Sequence, residues 1–439
     1  MFWVGLVVRL LYITLAHTYR LRVYMDHFEF GWEMGRIARA FATGYGFADP
    51  FTGHTGPTAW TPPLYPLLLA SVFKIFGVYT LASGWVILAL NSVFSAATAP
   101  AVYELAWRVF GRTAKGLKVA LWSGWLWALY PAAMQYAVHW VWDMALTAFL
   151  FSWVLVLALR LRGLGRDTDG ELGSTPGTPR IPTQSTRRWA FFGLLWGLIA
   201  LSNSSLLTFA PFCAVWAAKP LLLQPGRFAA AAGKLLLAAG CALFVVSPWV
   251  ARNWEAFHAF IPMRANLGAE LYESVLPSHE GFPWGAAMPM AEADKKFQRY
   301  KRLGEVAYSK QQGASAVEII RQRPLRSLGY VLKRFYFFWY SVPHPVGKSL
   351  FVEVMREINY AFLSVGGLLG LALAMHRRVP GAWLLFWAFA VIPLLFYLIT
   401  VQARFRHPLE PIITVLIVYL FQSAELPGAR RQSLDQGVA

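Results

Sequence analysis

Residues 141–160 read VWDMALTAFLFSWVLVLALR. From Met144 to Leu159 no residue ionises, and an apolar run on this scale is what a helix needs to cross about 30 Å of hydrocarbon at 1.5 Å per residue. Nine further runs of the same kind lie at roughly 2–19, 80–108, 118–138, 189–203, 204–219, 234–251, 350–375, 381–401 and 408–423. The chain therefore reads as an all-α polytopic membrane protein with about ten transmembrane helices. The stretch 62–77, PPLYPLLLASVFKIFG, is short and interrupted by proline, and suits the interface. Residues 2–19 have no basic region before them and no small-residue cleavage site after them, which predicts a retained helix and not a signal peptide.

Composition agrees. Apolar residues make up 57% and charged ones 14%, against roughly 25% charged in soluble domains, so a soluble or disordered chain is excluded. The 40 Lys and Arg against 22 Asp and Glu give +18, which on a soluble domain would point to nucleic acid. Here it sorts by loop. With residue 1 inside, Arg108 to Lys118, Arg160 to Arg188, Lys219 to Lys234, Arg377 with Arg378, and Arg430 with Arg431 all fall on the cytoplasmic side. The positive-inside rule accounts for them, and the anionic partner is membrane lipid, not nucleic acid. Two sizeable segments then face outward, 20–79 and 252–348. Cys213 and Cys241 both lie in apolar runs, so neither a disulfide framework nor a Cys-ligated metal site is available.

These boundaries divide the chain into three. Residues 1–251 form an N-terminal transmembrane module with the first outer loop 20–79 and a Gly, Pro, Ser and Thr-rich cytoplasmic linker at 163–188. Residues 252–348 form an outward helical segment, with helical spacing at 291–312 and 324–340, the second opened by Pro324 and patterned like an interface helix. Residues 349–439 add the last helices and a short cytoplasmic tail.

Chemistry gathers at the outer ends. If the loop is helical from about residue 27, Asp26, Glu29 and Glu33 share one face, and clustered carboxylates raise one another's pKa toward the range of a general base. Glu33 can alternatively pair with Arg36. Asp143 stands just inside a predicted span, where an ionisable group is costly and faces a cavity or a partner. Trp140 and Trp142 beside it suit the interfacial aromatic belt. Arg9 in the first helix predicts a structural pair with a neighbouring helix. Arg252, with Asn253, and the group Arg404, Arg406 and His407, followed by Glu410, lie just outside spans, where they either hold a phosphate or anchor helices to headgroups. Asp26, His27 and Glu29 could together ligate a divalent cation, although no metal site is assigned. Phosphate loops, HExxH, CxxC and GxSxG motifs do not occur.

Several of these stretches resemble a known family. The acidic patch after the first helix, RIARAFATGYGF at 36–47, GPTAWTPPLYPLLLASVFKIFG at 56–77, SPWVARNW at 247–254 and RFRHPLEPIITVLIVYL at 404–420 are similar to the polytopic glycosyltransferases of the C-type fold. The likeness is to the branch of protein O-mannosyltransferases and lipid A aminoarabinose transferases. That branch places a Lys before its PPLY motif, where this chain has Trp60-Thr61. The resemblance implies a multi-pass protein of the inner or plasma membrane that takes a sugar from a polyprenyl phosphate. The acceptor, a lipid, glycan or protein, would meet it on the outer face, with inversion at the anomeric carbon. It implies that Asp26 or Glu29 acts as base; with that role in place, Tyr65 is expected to position the donor and Arg404, Arg406 and His407, with Arg252, to receive the leaving phosphate. A transporter or lipid flippase without covalent chemistry is the alternative, and an assembly subunit a third.

Overall fold

The computed structural model describes residues 1–22, 28–111, 114–164, 185–276, 295–342 and 350–424. Among them are 17 α-helices and no strand, with one isolated bridge between Ala48 and Pro57. Four helices are long and apolar enough to cross a membrane: α4 (Leu81–Phe110), α7 (Met144–Leu161), α10 (Phe228–Phe257) and α15 (Leu350–His376). The other predicted runs are helical as well but shorter. They hold α1 (Phe2–Leu15), α5 (Ala114–Leu129), α6 (Pro131–Val138), α8 (Thr186–Ser202), α9 (Ala210–Leu222), α16 (Ala382–Leu398) and α17 (Glu410–Ser423). The linker expected over 163–188 lies, from 165 to 184, outside the described residues.

At the centre stands α7, buried on nearly every side by α4, α8, α9 and α17. By contrast α10 and α15 leave most of their apolar side chains uncovered, as lipid-facing helices do. Helix ends follow local chemistry. Thr80 caps α4, its Oγ1 accepting the Ser83 N–H at 3.1 Å.

The run 118–138 breaks in two at Tyr130-Pro131. Pro131 has no N–H to return to the Trp127 carbonyl, so the last carbonyls of α5 are left open. In hydrocarbon such groups must find donors. Arg9, fully buried in α1, supplies them: Nη1 donates to Ala128 O at 2.6 Å, Nη2 to Trp127 O at 3.3 Å and Nε to Ser95 Oγ at 3.2 Å. The partner of the expected structural pair is thus a broken helix end, where a cation also complements the macrodipole.

The two segments expected to face outward fold together. The first supplies α2 (Glu33–Ala42) and α3 (Leu64–Phe76); the second supplies α11 (Leu267–Val275), α12 (Lys295–Leu303), α13 (Glu305–Gln322) and α14 (Pro324–Trp339), with Pro324 in the first turn as its sequence predicts. Phe51 and Trp60 of the first share a small core with Ala269, Phe297, Tyr300 and Tyr308 of the second. Buried Glu305 ties them, accepting from the Ala59 N–H at 2.7 Å, from the Tyr300 hydroxyl at 2.9 Å and from the Thr58 hydroxyl.

Helices α8 and α10 approach through Gly193, where a Cβ would sit 2.1 Å from the Ala238 carbonyl oxygen. Close backbone approach over small residues is how helices associate without a hydrophobic driving force. Gly193→Ala is expected to lower the apparent Tm in detergent, with an overpacking cost of about 1–3 kcal/mol. Gly240→Ala, on the open face of α10 where a Cβ meets nothing within 4 Å, should hold or raise it, since Ala favours helix by about 1 kcal/mol over Gly.

Candidate active site

Parts of α6 and α15, the residues leading into α7, the start of α2, part of α11 and the 3-10 turn Ala403–Leu409 enclose a cavity of about 790 Å³. Its wall carries Glu33, Asp143 and Glu270 together with Arg264, Arg356, Arg404 and Arg406.

Glu33 reaches the wall because of two residues before it. After the 3-10 turn Phe28–Phe30 the backbone turns back through Gly31 (φ 98°) and Trp32 (φ 50°). A Cβ on Gly31 would lie 2.6 Å from the Val141 carbonyl oxygen. Only glycine allows this contact, which presses the start of α2 onto the segment leading into α7. Glu33 is then the first residue of α2. Burial raises its pKa, against its own backbone N–H and the charges of Arg36 and Arg404.

Asp143 is the residue before α7, not a residue within the span, because the helix begins at Met144. It is 3% exposed. Its Oδ2 accepts from Thr147 Oγ1 at 3.1 Å, and Thr147 Oγ1 lies 3.1 Å from Ser202 Oγ at the end of α8. Burial pushes its carboxyl up to about 6, while the Thr147 hydroxyl and the Arg404 charge hold it down.

Arg404 faces both carboxylates. Its guanidinium lies 4.0 Å from the centroid of the Trp142 ring and forms no ion pair among the described residues. Burial lowers its pKa, and Glu33 and Asp143 oppose that shift. Trp142, expected in the interfacial belt, is instead buried and carries this cation. Trp140 also lines the cavity and is 42% exposed.

The other predicted residues divide. Arg406 lines the cavity, but its Nε donates to Glu410 Oε1 at 2.6 Å and its Nη1 to Tyr360 O at 3.0 Å, so its charge is already matched. His407 lines it too, packed against Tyr136 with centroids 4.7 Å apart; burial and Arg406 push its pKa down to about 3, so it is neutral and offers no charge to a phosphate. Tyr65 lies behind the wall, where Asn91 Nδ2 donates to its hydroxyl at 2.9 Å and to Trp140 O at 3.2 Å. Arg252 lies within α10, which continues to Phe257. Its guanidinium donates to Thr58 O at 2.7 Å and to Phe47 O among the rings of Phe47, Trp249 and Phe257, and it holds the first outer segment to α10. Glu29 accepts from the Arg22 backbone N–H, and the cavity wall does not include it among the described residues.

Asp26 and His27 lie outside the described residues, and with them the cation site proposed at Asp26, His27 and Glu29. Among the described residues no group of three His, Cys, Asp or Glu is arranged to hold a metal. Sequence reasoning passed over Arg264, Glu270 and Arg356. Arg264 Nε donates to Trp60 O at 3.0 Å and its Nη2 pairs with Glu270 Oε1 at 3.2 Å, so the second outer segment roofs the cavity.

No family model matches the chain, and no curated protein matches it. Among solved structures it is similar to the Archaeoglobus fulgidus oligosaccharyltransferase in complex with zinc and sulfate, at 15% identity and TM-score 0.48 over 99% of this chain and 50% of that one. It is also similar to the oligosaccharyltransferase AglB from the same organism in complex with an inhibitory peptide and a dolichol-phosphate, at 14% identity and TM-score 0.47 over 100% and 52%. A third is ArnT from Cupriavidus metallidurans bound to undecaprenyl phosphate, at 14% identity and TM-score 0.41 over 99% and 63%. The chain spans about half the length of the first two.

The raised carboxyl of Asp143 has a consequence for stability. The folded state holds its proton to about pH 6 and the unfolded state only to about 3.8, so stability is lost as pH rises between those values. The loss amounts to about 3 kcal/mol. Asp143→Asn should therefore raise the apparent Tm at pH 8, and the gain should shrink as pH falls through 6 and vanish below 4; a gain independent of pH would contradict this account.

Proposed function

We propose that the chain is a membrane glycosyltransferase that moves a sugar from a polyprenyl-phosphate donor to a lipid, glycan or protein acceptor on the outer face of the inner or plasma membrane. One observation carries this reading. Glu33 and Asp143, from separate segments, meet a single cation, Arg404, in one cavity at the outer ends of the helices, and that cation has no ion-pair partner among the described residues.

The chemistry needs both signs. The acceptor's nucleophilic atom gives its proton to a carboxylate and forms a bond to the anomeric carbon. The bond from that carbon to the phosphate oxygen breaks, and the lipid phosphate leaves with the electron pair. Attack from the face opposite the phosphate inverts the centre. Arg404 is suited to the growing phosphate charge, because a cation fixed in a cavity costs no reorganisation as the reaction proceeds. Asp143, with a proton affinity near neutrality, suits the base. The sequence resemblance assigns that role to Asp26 or Glu29, and Glu33 completes the acidic set. Arg406 acts here through its hydrogen bonds and His407 by shape, while Tyr65 and Arg252 hold the walls from behind.

A panel of labelled polyprenyl-phosphate sugars incubated with the protein in nanodiscs tests the reading, with chelator and divalent-cation arms for a metal requirement. Donor turnover is expected, and Asp143→Asn or Arg404→Ala should reduce it by roughly 10²-fold or more. Asp26→Asn, Glu29→Gln and Glu33→Gln rank the remaining carboxylates. If Asp143 is the base, turnover falls as pH drops below about 6. Thr147→Val, which removes a donor to the carboxylate, should move that limb to higher pH. Lipid movement across the bilayer without bond cleavage would make the protein a transporter, and undiminished turnover in all four carboxylate variants would sink the acid–base mechanism.

A further inference from the structure

Residues 139–143 belong to no helix, yet they carry two of the groups that meet Arg404: Trp142, over whose ring its guanidinium is held, and Asp143. Such a segment cannot rely on a helical ladder along its length, so its place depends on what its carbonyls meet. Val141 O is pressed by Gly31, where a Cβ would lie 2.6 Å away. Trp140 O accepts a hydrogen bond from Asn91 Nδ2 at 3.2 Å.

Asn91 is fully buried on α4, one of the long apolar helices. Asparagine is a poorer helix former than leucine, and an amide taken out of water is costly unless its donors and acceptor are met, so packing alone does not account for it. Its polar atoms reach off the helix. Nδ2 also donates to the hydroxyl oxygen of Tyr65 at 2.9 Å, and that hydroxyl, fully buried on α3, donates to Asn91 Oδ1 at 3.1 Å. Thr98 of α4, by contrast, returns its hydroxyl to Phe94 O of the same helix at 2.9 Å. Turning the Asn91 amide over would set its oxygen against the Trp140 carbonyl, so only the donating orientation fits. Asn91 is not part of the cavity wall, and it can act on a ligand only through residues 139–143.

We propose that Asn91 is a positioning residue of the site: its amide, oriented by Tyr65, pins the Trp140 carbonyl and thereby sets where Trp142 and Asp143 stand against Arg404. The assignment rests on the glycosyltransferase reading for the reaction that is positioned, and on the hydrogen bonds alone for how the segment is held.

The test has one readout without substrate and one with it. Thermal melts of the full-length protein in nanodiscs follow the gain in Tm at pH 8 that Asp143→Asn brings by removing a buried carboxylate, whose neighbouring charges are Arg404 and Arg264. In an Asn91→Leu background the segment loosens and water reaches that carboxylate, so the gain should be roughly halved or more. With a sugar donor that the unaltered protein turns over, Asn91→Leu should lower kcat by roughly 10²-fold, the cost of about 1 Å of misplacement, and leave KM nearly unchanged. Tyr65→Phe, which frees the amide but keeps Asn91, should move both readouts the same way by less, and it carries the test if Asn91→Leu does not fold. Ser92→Ala, one residue along, removes a buried hydroxyl that has no hydrogen-bond partner among the described residues and should move neither. A Tm gain undiminished by Asn91→Leu or Tyr65→Phe, a kcat that holds, or an equal effect of Ser92→Ala would overturn the assignment. A diminished Tm gain in a protein that turns over no sugar donor would leave Asn91 as the residue that holds the segment and remove the glycosyltransferase reading.

Discussion

The site depends on one guanidinium held over an indole. Arg404 rests on Trp142, and the residue after that tryptophan is Asp143. Glu33 arrives from the first outer segment and Glu270 from the second, and both feel the same cation. Without it Glu33 and Asp143 would lose a cation they share, and Glu270 would keep only Arg264, so the segments bearing them would be held together less firmly. Two outer segments distant in sequence thus become one roof over the helical bundle, and the Glu305 cluster holds that roof from its far side.

Shaping a cavity at the ends of membrane helices requires that some of them stop early, and each stop leaves carbonyls without donors. Arginines meet the need twice. Arg9 donates to the open end of α5, and Arg334, 1% exposed, donates to Tyr397 O at 2.6 Å and Leu398 O at 3.3 Å at the end of α16. A guanidinium suits the task because its fork spans several acceptors while its charge complements the helix C-terminus. These two buried cations are therefore architectural, and the contrast with Arg404 lies in what surrounds them: carbonyls in one case, an aromatic face and open cavity in the other.

The helical architecture was legible because it is written in long apolar runs, and the break at Tyr130-Pro131 could have been read from Pro131 alone. Asp143, Glu33 and Arg404 were legible as ionisable residues beside spans, where burial is costly unless something is gained. Arg252 looked the same and is not the same, since nothing in 251–257 stops α10 and the helix carries it onto the Phe47 and Thr58 carbonyls. Whether a Trp near a span is belt or platform depends on what packs against it, which for Trp142 is a residue more than 250 positions away. Arg264 and Arg356 gave no local signal, because their place on the wall is set by how the second outer segment and α15 dock.

The difference between Arg404 and Arg406 follows from the turn that carries them. Residues 403–409 are 3-10 helical, with three residues per turn, so positions three apart eclipse and positions two apart point to different sides. Arg404 and His407 accordingly share a direction, and Arg406 is turned toward α15, where it finds Glu410, Tyr360 and Ser364. An α-helical turn would have spread the same residues at about 100° intervals and brought Arg404 nearer to His407 and Pro408 than to a clean eclipse. Pro408 discourages that alternative sterically, because in an α-helix its ring would meet the carbonyl of the residue four before it, Arg404. A proline four residues on thus keeps one arginine open to the cavity while its neighbour is neutralised, and the charge gradient along the cavity is fixed by backbone geometry as much as by the side chains that display it.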